Sequence, residues 1–213
     1  MREGRVAGVP ARVMRVGFVG ELGYEIHVPA ENAAHVWDAL MAAGAQFAHP
    51  ALRRRSPAPA ALEKGHVIIG QDTDGLTTPA QASMEWAVKM DKPFFVGQRS
   101  PAHHREAAAE TETGRLRSDA SFAGSAPKEC HLIIRDGQIA GRVTSVAHSP
   151  ALGHVIGLAL IAPEMAGEGT RFNIRVEAGA MVEARVVATP FYDAAGERQK
   201  VAAHAPQPEA LPA

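Results

Sequence analysis

The chain has 213 residues, of which 46% are hydrophobic and 21% charged, and its formal net charge is −1. This length is sufficient for one or two domains with hydrophobic cores. The nearly neutral charge argues against a nucleic-acid partner, and no stretch approaches the roughly 18 apolar residues of a membrane span. We therefore expect neither a nucleic-acid nor a membrane partner.

One cysteine, Cys130, is present in the whole chain. It excludes an internal disulfide framework and any metal site built from several thiolates. Cys130 opens an apolar run, so we expect a small buried thiol. The first residues lack the apolar core of a signal peptide, which together with the single cysteine predicts a cytoplasmic protein.

Two short strands are predicted near the start, at residues 12–18 and 24–28, on either side of a glycine-containing turn. In the second strand, alternation places Glu25 and His27 on one face and the apolar side chains on the other, namely Tyr24, Ile26 and Val28. On pattern alone, Glu25 is either a solvated surface group or a ligand contact.

An amphipathic helix is predicted from about Glu31 to Ala43, between Pro29 and Gly44. Its apolar stripe consists of Ala33, Val36, Trp37, Leu40 and Met41. Two strands followed by a helix packed on them indicate an α+β layer. Further on, alternating apolar residues at 84–90 predict a half-buried strand.

The rest of the chain divides into three segments. Residues 101–128 lack a sustained period and are expected to form a linker or irregular segment. Residues 129–200 contain several short predicted strands, with a hairpin at Asp136-Gly137, which indicate a small barrel or sandwich. Residues 201–213 are expected to be a frayed tail.

Common catalytic and metal-binding motifs do not occur in the sequence. It has neither a dinucleotide fingerprint nor a P-loop, so we expect no flavin or nicotinamide site. The run from Asp72 to Gly75 begins like a calcium loop but lacks its later ligands, and we assign it to a turn. His103 and His104 lack the spacing of a helical zinc site, so no metal ligand or catalytic residue is assigned.

Several motifs in a fixed order, spanning most of residues 5–200, resemble the folate-binding aminomethyltransferase family. They are Arg15–Pro29, Leu62–Gly75, Lys92–Ser100, Gly141–Ser145, Ser149–Gly153 and Pro190–Tyr192. This family includes the glycine cleavage T-protein and the C-terminal part of the sarcosine oxidase alpha subunit, and the second is the more similar. The resemblance implies an α+β fold: residues 1–100 as the C-terminal part of the folate-binding domain, followed by a small all-β barrel.

The resemblance also implies a ligand and site residues. The glutamate of the family's Gly-x-x-Gly-x-Glu motif, here Glu25, hydrogen-bonds the pterin ring of tetrahydrofolate. Phe18 stands where the family usually has a pocket tyrosine, and Tyr24 is a further candidate, although core packing explains both aromatics equally well. The implied partners are folate, an amine-derived one-carbon unit and the other subunits of an oxidase complex.

Two departures from the family pattern limit what this chain can do. The family's folate domain begins well upstream of Arg15, and the aspartate near the reactive folate nitrogen lies in that upstream part. We therefore expect an N-terminally truncated domain that is inactive alone, and the alternative is a non-catalytic remnant or a fragment that docks on a partner. Residues 48–61 have the family's spacing without its residues, and Pro57 and Pro59 should shorten the helix there, which suggests a frame-shifted segment.

Overall fold

The structure is a computed structural model that describes residues 1–48, 51, 58–100, 112–118 and 126–200, with the backbone alone described for 112–118. The chain separates into two compact units. The first consists of residues 1–58 together with those after 194, and the second of residues 59–194. Of the linker predicted at residues 101–128, residues 101–111 and 119–125 lie outside the described residues, as do most of the unusual segment 48–61 and the predicted tail.

The first unit contains a three-stranded antiparallel sheet in the order β1-β2-β3. Strand β1 is Arg2–Val6, β2 is Val9–Met14 and β3 is Glu25–His27. Ala7 and Gly8 both have positive φ, as the tight turn between β1 and β2 requires. The sequence pattern missed β1. It predicted the first strand at residues 12–18, whereas the corresponding β2 begins at Val9 and ends at Met14, and the predicted strand at 24–28 contains β3.

Helix α1 spans Ala33–Gly44 and follows a single 3-10 turn at Ala30–Asn32, which confirms the predicted helix. Its apolar stripe is only partly covered. Val36 is buried, whereas Trp37 and Leu40 are exposed. The amphipathic pattern therefore gave the helix correctly, but this unit does not cover the whole apolar face.

A short helix, α2, spans Ala58–Glu63, and the second unit begins at its second residue. Pro59 lies in its first turn, where a proline removes no helical hydrogen bond. Residues 84–90 do not form the predicted strand. Instead, Glu85–Ala87 make a 3-10 turn and Trp86 is exposed, so the alternation there does not reflect a half-buried strand.

A closed antiparallel barrel forms the rest of the second unit, in the order β4-β7-β6-β5-β8-β9. Its strands are Glu112–Ser118, Leu132–Arg135, Gln138–Ser149, His154–Ile161, Arg171–Arg175 and Met181–Val186, from β4 to β9. Pairing of Leu116 with Val186 closes the ring. The predicted barrel is confirmed, but its first strand runs through the segment expected to be irregular.

Fully buried aliphatic side chains fill the barrel, among them Ile133, Val143, Ile161 and Ile174. Asp136 and Gly137 have positive φ between β5 and β6, so the predicted hairpin turn is confirmed.

Cys130 is exposed and also has positive φ. The expected buried thiol is therefore wrong, because Cys130 lies in a turn before β5 rather than in the strand itself.

None of the helices in the described part of the chain is long and apolar enough to cross a membrane.

Candidate functional site

Glu25 lies on β3, at the edge of the three-stranded sheet. Its pairing partner is Met14, and Arg12 pairs with His27. Paired residues of antiparallel strands share a face, so Arg12, Glu25 and His27 lie on the same side of the sheet. The opposite side carries buried or half-buried apolar residues, including Val9, Ala11 and Ile26. The face predicted for Glu25 and His27 is confirmed as the solvent-exposed one.

The Glu25 carboxylate lies 3.3 Å from the imidazole of His27, measured from Oε2 to Nε2. More than half of each side chain is exposed, at 58% for Glu25 and 55% for His27. The sequence pattern placed the two residues on one face but did not predict their contact. An exposed carboxylate beside an imidazole can accept hydrogen bonds from a ligand with adjacent N–H groups.

A shallow depression of about 490 Å³ lies on this unit beside His27. The Arg12 guanidinium, on the same rim, donates a hydrogen bond to Glu3 over 3.1 Å. The lining of the depression therefore includes the Arg12 guanidinium, the Glu3 carboxylate and the His27 imidazole. Its lining residues are Glu3, Gly4, Pro10, Ala11, Arg12, His27, Val28 and Pro29.

The loop between β2 and β3 is held closed by a close approach of its backbone. A Cβ atom on Gly17 would lie 2.8 Å from the carbonyl oxygen of Glu21, and one on Gly23 would lie 3.0 Å from that of Val16. Only glycine fits both positions without displacing backbone. Phe18 and Tyr24 each follow one of these glycines in the sequence.

Both aromatic candidates are exposed, Phe18 at 51% and Tyr24 at 56%. Tyr24 was expected on the apolar face with Ile26 and Val28, but it precedes β3 and does not share their partial burial. Neither side chain is buried in the core of the first unit, so core packing does not explain these two residues.

Two hydrogen bonds connect the same loop to residues 198 and 199, which belong to the first unit. The Arg15 guanidinium donates to the carbonyl oxygen of Gln199, and the Arg198 guanidinium donates to the Glu21 carboxylate. A groove of about 340 Å³ lies between Arg15, Glu21 and Gln199. Sequence reasoning missed Arg198 and Gln199 because no local pattern relates residues so far apart in the chain.

A buried polar cluster in the second unit connects residues from three of the sequence motifs. Asp72 is 1% exposed and accepts hydrogen bonds from the Thr144 and Ser145 hydroxyls, at 2.6 and 2.7 Å. Strand register shifts between Val143 and Ser145, which marks a bulge in β6. Neighbouring residues of a regular strand face opposite sides, and the bulge explains why both hydroxyls reach one carboxylate.

Two further buried contacts involve the last residue of α2, Glu63, and Lys64, which follows it. The Ser149 hydroxyl donates to the Glu63 carboxylate. Lys64 donates to the carboxylate of Asp193, with 3.2 Å between Nζ and Oδ2, and to its carbonyl oxygen over 2.6 Å. The motifs at 62–75, 141–145 and 149–153 thus meet in one structural cluster.

The turn assigned to residues 72–75 is present, and both of its aspartates have protein donors. Asp74 accepts hydrogen bonds from the backbone N–H groups of Leu76 and Thr77 and from the Thr77 hydroxyl. These donors lower the pKa of the Asp74 carboxyl, the Leu76 N–H most strongly. Within the described ranges, no group of three or more His, Cys, Asp or Glu side chains is arranged to hold a metal ion.

Comparison with known sequences gives two family matches along the chain. Residues 1–92 match the model described as the GCVT N-terminal domain, and residues 117–193 match the glycine cleavage T-protein C-terminal barrel domain. The chain belongs to the glycine cleavage T-protein family. The second match coincides with the closed barrel, and the first includes the β3 strand that carries Glu25.

Curated relatives agree with this assignment. An aminomethyltransferase of Thermotoga petrophila is 32% identical over 206 residues, covering 93% of this chain and 53% of the relative. A sarcosine oxidase subunit alpha of Corynebacterium sp. strain U-96 is 35% identical over 202 residues, covering 91% of this chain and 20% of the relative. The chain therefore spans about half the length of the aminomethyltransferases it matches.

A solved structure has the same fold. The crystal structure of the glycine cleavage system aminomethyltransferase T from Bartonella henselae matches with a TM-score of 0.75 at 21% identity. The match covers 85% of this chain and 50% of that protein. At this identity the likeness concerns the fold alone. The chain again corresponds to about half of the protein that it matches.

Proposed function

We propose that this chain forms the pterin-binding half of a tetrahydrofolate-dependent one-carbon transferase domain, of the kind named by its T-protein and sarcosine oxidase alpha relatives. The observation that carries the proposal is the exposed Glu25 carboxylate on the open face of β3. Glu25 is held on a regular strand and remains accessible.

Glu25 would hold the pterin ring through its two carboxylate oxygens. The ring presents a nitrogen and an exocyclic amine side by side, and a carboxylate accepts such a pair of N–H donors in a bidentate manner. His27, 3.3 Å away, restricts the orientation of the carboxylate. Phe18 and Tyr24 would supply aromatic surface for the planar ring.

Tetrahydrofolate supplies the nitrogen that takes up the one-carbon unit, and this chain supplies binding and orientation. We assign no catalytic residue to it. Since the chain spans about half the length of its aminomethyltransferase relatives, turnover belongs to an assembly that includes the other half. In a sarcosine oxidase-like setting, that assembly would include further subunits.

Titration calorimetry with 5-formyltetrahydrofolate tests the proposal on the purified 213-residue chain. We expect micromolar binding that Glu25→Gln weakens at least tenfold, because the neutral amide replaces one acceptor oxygen with a donor. Glu31→Gln, which changes an exposed acid in the 3-10 turn before α1, is the matched control and should bind like the wild type. Binding that is unaffected by Glu25→Gln would remove Glu25 from the site.

The second candidate is a non-catalytic fragment that docks on a partner. The observation that favours it is the incompletely covered stripe of α1, where Trp37 remains 54% exposed. A folded, monodisperse chain that gives no heat with folate would support this reading over the first. It would also mean that the folate site needs the residues that the chain does not match.

A further inference from the structure

An open depression of about 420 Å³ lies on the barrel of the second unit, where β5, β6 and β7 run side by side. Its volume is within the range of ligand pockets, roughly 300–1,000 Å³. One of its described lining residues, Arg142, carries a charge. The lining residues are Leu132, Ile139, Ala140, Gly141, Arg142, Leu160 and Ala162. The depression therefore combines an apolar surface with one positive group.

Strand register explains why Arg142 lies between apolar side chains. Arg142 pairs with Leu132 of β5 on one side and with Leu160 of β7 on the other. Paired residues of antiparallel strands share a face, so these three side chains lie together on one face of the sheet. Ile133 and Ile161, which follow the two leucines in sequence, are fully buried in the barrel core. Because successive residues of a strand point to opposite faces, Arg142 belongs to the outer face.

Small residues leave the space for the depression. Ala140, Gly141 and Ala162 have no side-chain atom beyond Cβ, and a Cβ atom on Gly141 would lie 2.2 Å from the carbonyl oxygen of Leu160. The Ala162 N–H donates to the carbonyl oxygen of Ala140 over 3.1 Å, so this backbone pair is satisfied within the protein. Ile139, which also lines the depression, is 66% exposed. The surface around Arg142 thus offers mainly apolar contacts.

The Arg142 side chain is exposed, and within the described ranges it makes neither a hydrogen bond nor an ion pair. Its charge acts on Asp74, whose pKa is lowered most by the Leu76 N–H and least by Arg142. The Asp74 carboxylate accepts its hydrogen bonds within its own turn. A guanidinium presents five N–H donors in a planar fork that matches a carboxylate. Arg142 therefore retains these donors for an acceptor from outside the protein.

We propose that this depression binds a small carboxylate that carries an apolar chain or ring. The Arg142 guanidinium would pair with the carboxylate, and Leu132, Ile139 and Leu160 would cover the apolar part. The single charge decides the class of ligand. A neutral apolar molecule would leave the guanidinium unused, and a polyanion would meet one cation among the described lining residues. The proposal concerns the barrel and does not depend on folate binding at Glu25.

Octanoate tests the proposal through amide NMR spectra of the full 213-residue chain labelled with heavy nitrogen. We expect saturable shifts of the backbone amides at 139–142 and 160–162, with a dissociation constant of about 1 mM or below. Acetate lacks the apolar chain and octanol lacks the charge, so each should bind at least tenfold more weakly than octanoate. Octanol that binds as well as octanoate would indicate nonspecific apolar adsorption and overturn the proposal.

A charge-removing variant tests the role of Arg142. Arg142→Gln should weaken octanoate binding at least tenfold and leave the weak binding of octanol unchanged. Arg171→Gln is the matched control, because Arg171 is an exposed barrel arginine that does not line the depression and pairs with Glu183 over 3.1 Å. Since both arginines are exposed, neither substitution should impair folding, and the dispersion of the amide spectrum verifies this for each variant.

Three results would overturn the proposal: no saturable shifts in the wild-type chain, octanoate binding that survives Arg142→Gln, or equal losses in the two variants. Folate takes no part in these titrations. Failure here therefore leaves the calorimetric test of Glu25 unaffected.

Discussion

The Lys64 ammonium lies 3.2 Å from the Asp193 carboxylate, and less than a tenth of either side chain is exposed. Lys64 follows the last residue of α2, and Asp193 comes after the last barrel strand. Their contact joins two parts of the second unit that are far apart in sequence. Within this unit it is a deeply buried ion pair, unlike the exposed pair of Arg12 and Glu3 in the first unit.

Removal of one member of the buried pair should be costly. Asp193→Ala leaves a buried ammonium without its counter-charge, and we expect the free energy of unfolding to fall by about 3 kcal/mol. Urea denaturation followed by circular dichroism measures the change. Glu3→Ala is the control and should cost less than about 1 kcal/mol, because exposed pairs contribute little. Equal losses would mean that burial of the Lys64 pair is not maintained in solution.

Asp72 should be equally important to the second unit. It accepts hydrogen bonds from Thr144, Ser145 and the backbone N–H of Ile68. Asp72→Ala leaves these donors without their acceptor, so we expect a loss of about 3 kcal/mol. Asp74→Ala, at an exposed turn, should cost clearly less. Thermal denaturation compares the stability of the two variants. A similar loss in both would contradict the burial of Asp72.

The pKa of Asp74 lies below its ordinary value of 3.8 because of the Leu76 N–H and the Thr77 hydroxyl and N–H. The unfolded chain binds this proton more tightly than the folded chain. The carboxylate's contribution to stability is therefore present above the unfolded pKa and is lost as the pH falls through the folded pKa. Carbon-detected NMR titration should show the Asp74 pKa rising in Thr77→Val. An unchanged value in that variant would show that the hydroxyl is not a significant donor.

Gly141 should not tolerate a side chain. A Cβ atom there would lie 2.2 Å from the carbonyl oxygen of Leu160 and 2.9 Å from the Cα of Ile161. Gly141→Ala must displace backbone between β6 and β7, and we expect a loss of roughly 2 kcal/mol. Gly75→Ala is the control, since a Cβ atom there meets nothing within 4 Å. A midpoint of urea unfolding that shifts no more for Gly141→Ala than for Gly75→Ala would refute the close approach.

Local signals predicted the elements that local contacts determine. The periodicity of α1 and the Asp136-Gly137 turn could be read directly, because neighbouring residues fix both. Strand β4 could not, since the sequence Glu-Thr-Gly-Arg-Leu-Arg-Ser is polar and interrupted by glycine. Its strand conformation comes from pairing with β7 and β9.

In the candidate site, too, the sequence predicted what local geometry determines and missed what contacts between distant residues determine. Alternation placed Glu25 and His27 on one face, which depends only on strand geometry. The anchoring of Glu21 by Arg198 depends on a contact across most of the chain, and no pattern within a single segment encodes it. The bulge that brings Thr144 and Ser145 together on Asp72 likewise appears only when β6 pairs with β7.

Barrel closure constrains the order of events during synthesis. Leu116 of β4 pairs with Val186 of β9, and β9 also completes the edge of β8. Until β9 has left the ribosome, β4 and β8 both present unpaired backbone groups, which can join the strands of another chain. The barrel therefore has two open strand edges until its last strand is in place.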